Sequence, residues 1–419
     1  MVPVGKVKII PHLEECTPPR GELDADSLSQ IALAAILEND HPLKVDAFRW
    51  AAHNLADDTL IQRDLDCTFD EPGWQKMAAS GLLGLLVEPE LGGAGLDLCS
   101  ALLTIEGLGH GCRDDGLTFA LSSQVLTMQL TLDRFGSTEQ RREWLPKLIA
   151  GEAKGAFCMT EPEAGSDSYS LTTTATPVGD GTYTITGEKA WVTMGPVADL
   201  FIVFATVNPD LGRWGISTFL VPASTPGLTV GPNRPKMGMR TTPFANVTFE
   251  NCLVPESARL GNEGAGASIF SAAMEAERAF LLAGAVGNLE RTIDDTISYA
   301  REREQFGQPI GAFQAVAHAI ADMKVAHETA RTLLYKAAAL QQTGSPSMMA
   351  AAVAKLAVSE NALDAARSAI EVHGARGYVS EFEIERDLRN TVGGVIYGGT
   401  SAIQRNIIGR LLGLPAGER

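Results

Sequence analysis

Three long amphipathic patterns near the C-terminal end, over residues 267–303, 314–342 and 347–373, constrain the fold of this chain most. Apolar residues recur in them at helical spacing, so each segment has a face that must be buried against another element. Alanine is abundant in all three, which suits both helix propensity and close helix–helix approach. A shorter helical tail from Phe382 completes a set of four, and four such helices predict a bundle.

The rest of the chain divides by its hydrophobic period. Up to about residue 151 the period is helical. Val45, Phe48, Ala52 and Leu55 share one stripe, Met77 and the Leu82–Leu86 cluster follow, and helices are expected over 101–108, 118–135 and 139–148. The Gly-rich stretch Glu90-Leu91-Gly92-Gly93-Ala94-Gly95 has no strand before it, no P-loop lysine and no Rossmann glycine spacing, and reads as punctuation between helices. Near Lys154 the period changes to two. Residues 182–189 alternate, 200–205 read as a buried strand, and 218–221 and 246–249 continue the pattern. The expected architecture is mostly α with a central β-domain. Its parts are an N-terminal extension (1–42), an N-terminal helical domain (43–153), a small β-barrel-like middle domain (154–262) and a C-terminal helical bundle (263–419). Within the extension, residues 4–10 look strand-like and 28–37 helical, with no visible chemistry.

Composition narrows the function. A net charge of −17 repels nucleic acid overall, although a local cluster of donors can still hold an anionic cofactor. The six cysteines show no paired C-x-x-C spacing and read as reduced thiols. The seven histidines form no ligand pair at metal-site spacing, so no metal is expected. The first residues lack a signal-peptide core, and the acids from Glu14 to Asp26 argue against a transit peptide. No run reaches the length of a membrane span, and the expected location is cytoplasmic.

Chemistry is concentrated in a few short motifs. The stretch Val395-Ile396-Tyr397-Gly398-Gly399-Thr400-Ser401-Ala402-Ile403-Gln404-Arg405 resembles the signature loop of the acyl-CoA dehydrogenase family, Ile-Tyr-Glu-Gly-Thr-Ser-x-Ile-Gln-Arg. Phe157-Cys158-Met159-Thr160-Glu161-Pro162-Glu163-Ala164-Gly165-Ser166-Asp167 is similar to that family's Thr-Glu-Pro-x-Ala-Gly-Ser-Asp segment. Lys189-Ala190-Trp191-Val192-Thr193-Met194-Gly195 resembles its Lys-x-Trp-Ile-Thr-Asn-Gly, with Met194 for the Asn. Arg303-Glu304-Gln305-Phe306-Gly307 with Gln314 matches its Arg-x-x-Phe-Gly and downstream Gln. Glu371-Val372-His373-Gly374-Ala375-Arg376-Gly377-Tyr378 follows its Gln-x-x-Gly-Gly-x-Gly-Tyr, with an acid for the amide. Pro235 to Arg240 and Val247 to Pro255 match a structural signature of its β-domain, with Arg240 a candidate interface charge.

The resemblance covers residues 43 to 415 and implies the acyl-CoA dehydrogenase fold, an FAD cofactor and α,β-dehydrogenation of an acyl thioester. It puts Phe157, Met159, Thr160, Gly165, Ser166, Trp191, Thr193, Arg303, Phe306, Gln314, Glu371, Gly374, Thr400 and Gln404 on the cofactor. It puts Ser166, Glu275, Arg278, Tyr397 and Gly398 on the substrate side. It further implies a homotetramer arranged as a dimer of dimers, and an electron acceptor such as electron-transfer flavoprotein. Plainer roles exist for several of these residues. Thr160 and Ser166 can cap a turn, Trp191 can fill a core, and Arg303 can belong to a solvated charge run.

One departure decides the chemistry. In most of the family the Glu after the loop Tyr is the catalytic base, and here that position is Gly398. The 267–303 pattern carries an anomaly, because Glu277 sits in the apolar stripe of Phe270, Ala273, Phe280, Leu281 and Gly284. An acid on such a stripe has to be paired, protonated or functional. Glu275 projects toward another face. Glu275-Ala276-Glu277-Arg278 also resembles the subgroup typified by isovaleryl-CoA dehydrogenase, whose base is the Glu immediately before the helix Arg, so Glu277 is the expected base. That subgroup suggests a short, branched or cyclic acyl chain on CoA. A carrier-protein-bound acyl or aminoacyl thioester, as in prolyl-carrier dehydrogenases, is the alternative. A flavin-dependent oxidase or oxygenase, and a non-catalytic paralogue, are the others.

Overall fold

The structure is a computed structural model that describes residues 40–415, so the expectations over 4–10 and 28–37 lie outside the described residues. The N-terminal block contains α1 (Pro42–Asn54), α2 (Leu60–Asp66), α3 (Glu71–Ala79), α4 (Leu98–Gly111), α5 (Asp115–Ser123), α6 (Leu130–Phe135) and α7 (Thr138–Ile149). Local chemistry marks where these helices start. Asp70, Asp97 and Asp114 each accept a backbone N–H of the first turn, and Ser137 forms a reciprocal capping box with Gln140. The helix expected over 118–135 is divided, because Gln124–Gln129 winds as a π-helical segment between α5 and α6. All six of its residues are buried, and the Gln124 side chain is held by Gly155 N at 2.9 Å. Packing against the neighbouring strand and helix overrides the regular pitch there.

The middle block is one twisted sheet of eight strands. They are β1 (Gly155–Cys158), β2 (Thr174–Gly179), β3 (Thr182–Thr193), β4 (Leu200–Thr206), β5 (Ile216–Pro222), β6 (Leu228–Val230), β7 (Phe244–Pro255) and β8 (Arg259–Leu260). Their order is β6-β7-β3-β2-β4-β5-β8, with β1 pairing parallel to β4. Every residue of β4 is buried, as its unbroken apolar run requires. Strand β3 extends past the alternating stretch, and its pairing with β7 shifts register between Lys189 and Val192.

The C-terminal block contains α8 (Gly266–Phe280), α9 (Ala283–Glu302), α10 (Gln314–Gln342), α11 (Met348–His373), α12 (Ala375–Tyr378), α13 (Ile384–Gly394) and α14 (Ser401–Leu411). The single helix expected over 267–303 is therefore two, broken at Leu281–Leu282. No Pro or Gly forces the break. Both leucines are buried in the shared core, and i→i−4 bonds persist on either side of the break, from Leu281 N to Glu277 O at 3.3 Å and from Val286 N to Leu282 O at 3.1 Å. The tail expected from Phe382 begins as a helix at Ile384.

One core joins the two helical blocks, with Ala47, Trp74 and Leu102 in contact with the cluster of Phe280, Val286 and Leu334. Beside it lies a buried polar knot. Lys44 Nζ meets Glu106 at 3.2 Å and Glu290 at 2.7 Å, while Arg331 Nε and Tyr335 Oη donate to Glu106 at 2.7 and 2.6 Å. Glu106, Glu290 and His327 converge there with metal-ligating atoms. Lys44 and Arg331 already balance the two carboxylates, so the knot serves as an interdomain tie.

Candidate active site

Helix α8 carries Glu277 on the face turned toward the π-helical segment, and Thr127 Oγ1 donates to Glu277 Oε2 at 3.5 Å. Burial pushes the Glu277 carboxyl up to about 7, only partly offset by Arg278 and Thr127. The residue as a whole nevertheless keeps partial exposure. Gly398 lies against the same helix, one residue further on. A side chain built there would first meet Arg278 Cα, at 3.8 Å. The backbone at Gly398 has φ +62°, and at Gly399 +88°, a left-handed pair that glycine adopts without strain. Gln404 holds this turn by donating to the Gly398 and Gly399 carbonyls at 3.0 and 2.9 Å, and Thr400 caps α14.

A cavity of about 30 Å³ opens next to these residues, room for two or three water molecules. Tyr397 and Leu281 line it at the Glu277 end, and Asp115, Asn288 and Asn390 line the other. Tyr397 packs on Phe119 with ring centroids 4.8 Å apart. Burial, with the negative charges of Glu277 and Asp115, raises the Tyr397 phenol above its ordinary range. Glu275, expected on the substrate side, is engaged with a neighbouring helix. It accepts a hydrogen bond from the Ser347 hydroxyl just ahead of α11, and α8 places it on a different face from Glu277.

Two of the motifs meet at the edge of the sheet. Ala190 N donates to Thr160 O at 2.9 Å, which sets the end of β1 beside β3. Behind them Lys189 Nζ pairs with Glu161 at 2.8 Å and also donates to Met159 O at 3.1 Å, with both side chains fully enclosed. Glu161 in turn accepts from Thr172 N, Thr172 Oγ1 and Thr173 N at 2.6 to 2.9 Å. These donors and the Lys189 charge hold its carboxyl down to about 2 despite burial. Trp191 is no core residue. It sits in the bulge with φ +59°, half of its surface is exposed, and its ring stacks near Phe244 at 6.1 Å. Met194, in place of the usual Asn, is buried in the interdomain core. Phe157 packs among Phe204 and Phe270, and Phe270 lies two turns before Glu277 on α8. The edge with Met159, Thr160, Trp191 and Thr193 therefore lies on the same side of the molecule as α8.

These residues fit a flavin. An exposed indole held rigidly in a bulge beside a hydroxyl presents a flat wall to a planar ring, and Ser401 Oγ and Gln404 Oε1 are buried polar atoms without a protein partner. Gly165 and Ser166 lie on the exposed loop after Glu161. The remaining cofactor candidates do not join this site within one chain. Arg303 and Gln314 are exposed, Phe306 has 94% of its surface exposed, and Glu371 is an exposed partner of Arg367. Gly374, with φ +60°, ends α11 on the same outer surface. Arg240 bonds its own loop, at Lys236 O, while Gly238 lets that loop touch the α13 backbone at Arg389.

Sequence reasoning missed Thr127, Asp115 and the Glu161–Lys189 pair. The last two residues stand inside recognised motifs, yet nothing in the sequence says that they touch.

Family models for the acyl-CoA dehydrogenase N-terminal, middle and C-terminal domains match residues 43–152, 156–252 and 264–413. The L-prolyl-[peptidyl-carrier protein] dehydrogenase of Pseudomonas fluorescens is 42% identical over 341 residues, covering 81% of this chain and 90% of that protein. The crystal structure of the prolyl acyl carrier protein oxidase AnaB superposes with a TM-score of 0.88 at 41% identity, over 90% of this chain and 99% of that one. PigA, solved with FAD and proline, gives a TM-score of 0.85 at 37% identity over 91% and 98%. With all three domains in order, the chain belongs to the acyl-CoA dehydrogenase family of FAD-dependent oxidoreductases acting on CH–CH groups.

Proposed function

We propose that this chain dehydrogenates the α,β bond of a small acyl thioester, with Glu277 taking the α-proton. The observation that carries the reading is the desolvated Glu277 carboxyl on α8, on the helix whose next residue, Arg278, has its Cα 3.8 Å from where a side chain at Gly398 would begin. A group with a pKa of about 7 can accept a proton from carbon at neutral pH and hold it, which a solvated carboxylate does poorly. Gly398 supports the assignment by leaving open the space that a side chain would fill. Arg278, next on the helix and with a buried, unpartnered Nε, would steer the substrate arm. FAD, when bound, supplies the acceptor for the β-hydride. Phe157, Met159, Thr160, Gly165, Ser166, Trp191 and Thr193 would hold its ring end, with Thr400 and Gln404 shaping the facing loop.

The exposed Arg303, Phe306, Gln314, Glu371 and Gly374 support an oligomer, a dimer of dimers, in which they serve the cofactor of a neighbouring copy. The thioester arm is pantetheine, common to CoA and to carrier proteins. The relatives named for prolyl groups on carrier proteins favour a carrier-bound substrate. Electrons would pass to an electron-transfer flavoprotein. Direct reoxidation by oxygen is the second reading, favoured by the likeness to an oxidase.

The test is anaerobic flavin bleaching by CoA- and carrier-bound thioesters. Glu277→Gln should retain FAD and lose bleaching by a factor of about 10² to 10⁴. Bleaching at the wild-type rate would remove Glu277 as the base.

A further inference from the structure

Away from the active site, a groove of about 620 Å³ lies on the N-terminal block, between α1, the start of α2, and parts of α4 and α9. Phe48, Ala52, Leu55, Leu60 and Ile61 give it an apolar floor. Its charged lining is lopsided. Five carboxylates, Asp57, Asp58, Asp294, Asp295 and Glu383, stand against the guanidiniums of Arg113 and Arg291 and the His110 imidazole. Arg291 is turned inward, onto Asp115 at 3.0 Å and Asp387 at 3.4 Å. Asp295 pairs with Arg113 at 2.9 Å and Glu383 with Arg386 at 2.6 Å, while Asp58 is exposed and its carboxylate has no partner among the described residues. An apolar floor under a surplus of acid fits an occupant that is both apolar and cationic.

We propose that residues 4–10 of the same chain lie in this groove, as an arm laid over the N-terminal block. The sequence Val4-Gly5-Lys6-Val7-Lys8-Ile9-Ile10 alternates, so an extended chain turns Val7 and Ile9 to the apolar floor and Lys6 and Lys8 to the carboxylates of the rim. The rest of the N-terminal stretch does not match. Residues 11–39 carry Glu14, Glu15, Glu22, Asp24, Asp26 and Glu38 against Arg20, and the acidic rim repels them. The apolar run Ile31 to Leu37 has no charge and gains nothing from the rim. Reach is ample, because residues 11–41 span up to about 100 Å when extended. The groove itself begins at Phe48, two turns into α1. The arm would also buttress the active-site region from outside, since Arg291 lines the groove and bonds Asp115, which lines the cavity beside Tyr397.

The experiment uses the whole chain with FAD bound. The photo-reactive residue p-benzoylphenylalanine, placed at Ile9, should cross-link on irradiation to peptides within residues 48–61. In a mixture of isotope-labelled and unlabelled protein, those cross-links should stay within one chain. Lys6→Glu combined with Lys8→Glu should speed amide hydrogen exchange across residues 48–61 by about fivefold or more, with FAD content unchanged. Adding Asp58→Lys to that variant should restore part of the protection, which a merely structural effect of the two lysines would not do. Cross-links formed mainly between copies, or outside the groove, overturn the proposal. So does labelling of the groove from position 31 in place of position 9, or exchange that the charge reversal leaves unmoved.

Discussion

Glu277→Gln should stabilise the protein at alkaline pH, in proportion to the burial that raises the wild-type carboxyl. The Glu277 carboxyl titrates near 7 in the fold against an ordinary value of 4.5. At about 1.36 kcal/mol per pH unit, the penalty for holding it ionised is at most roughly 3.4 kcal/mol. Partial contact with solvent reduces this to about 1–2 kcal/mol. The sign follows from linkage. Below pH 4.5 the group is protonated in both the folded and unfolded chains and costs nothing. From 4.5 to about 7 the unfolded chain ionises first, so stability falls as pH rises. Above 7 the full penalty applies. The uncharged amide keeps the shape and never pays. Its melting temperature should match wild type at pH 4.5 and exceed it by about 1–3 °C at pH 8, as expected for a chain of this size. Paired thermal melts of the apo-proteins across that range measure it. A variant that is less stable than wild type at pH 8, or a difference that does not grow with pH, would refute the claim that the Glu277 environment penalises its charge.

Three other perturbations have definite expectations. Lys189→Met strands Glu161 in the interior with its three remaining donors, and should lower stability by about 3–5 kcal/mol with loss of FAD affinity; melts and bound-flavin absorbance read both, and normal FAD stoichiometry would contradict the clamp. Gly398→Ala has room for its methyl but forces a side chain into left-handed backbone, costing about 1–2 kcal/mol by denaturant unfolding; a neutral result would mean that the turn is not held as described. Thr127→Val removes a hydrogen bond that favours the ionised Glu277, so the apparent pKa of flavin bleaching should move upward; a downward or absent shift would count against the contact.

Much of the architecture was legible in the sequence. A change of period from helical to two and back is written in side chains that must choose a face, and Leu200–Thr206 shows the burial that its composition demands. What the sequence did not show arises where tertiary packing overrides local preference. Nothing local breaks the helix at Leu281–Leu282, widens the turn at Gln124–Gln129, or lifts Trp191 into a bulge. The candidate base was visible because one acid interrupts an apolar stripe. Its setting was not, since Thr127 lies 150 residues away and reaches Glu277 only through the π-helical turn. The departure at Gly398 was plain, but the reason the position tolerates glycine came from its φ and from the nearness of Arg278.

The most direct test of the central claim, that Glu277 serves in place of a carboxylate at position 398, is the pH dependence of anaerobic flavin bleaching by a saturating acyl thioester. The rate should rise with pH through an apparent pKa of about 7, and that limb should vanish in Glu277→Gln together with the reaction. A profile that is flat from pH 5 to 9, or one that keeps the same limb in the variant, would contradict it.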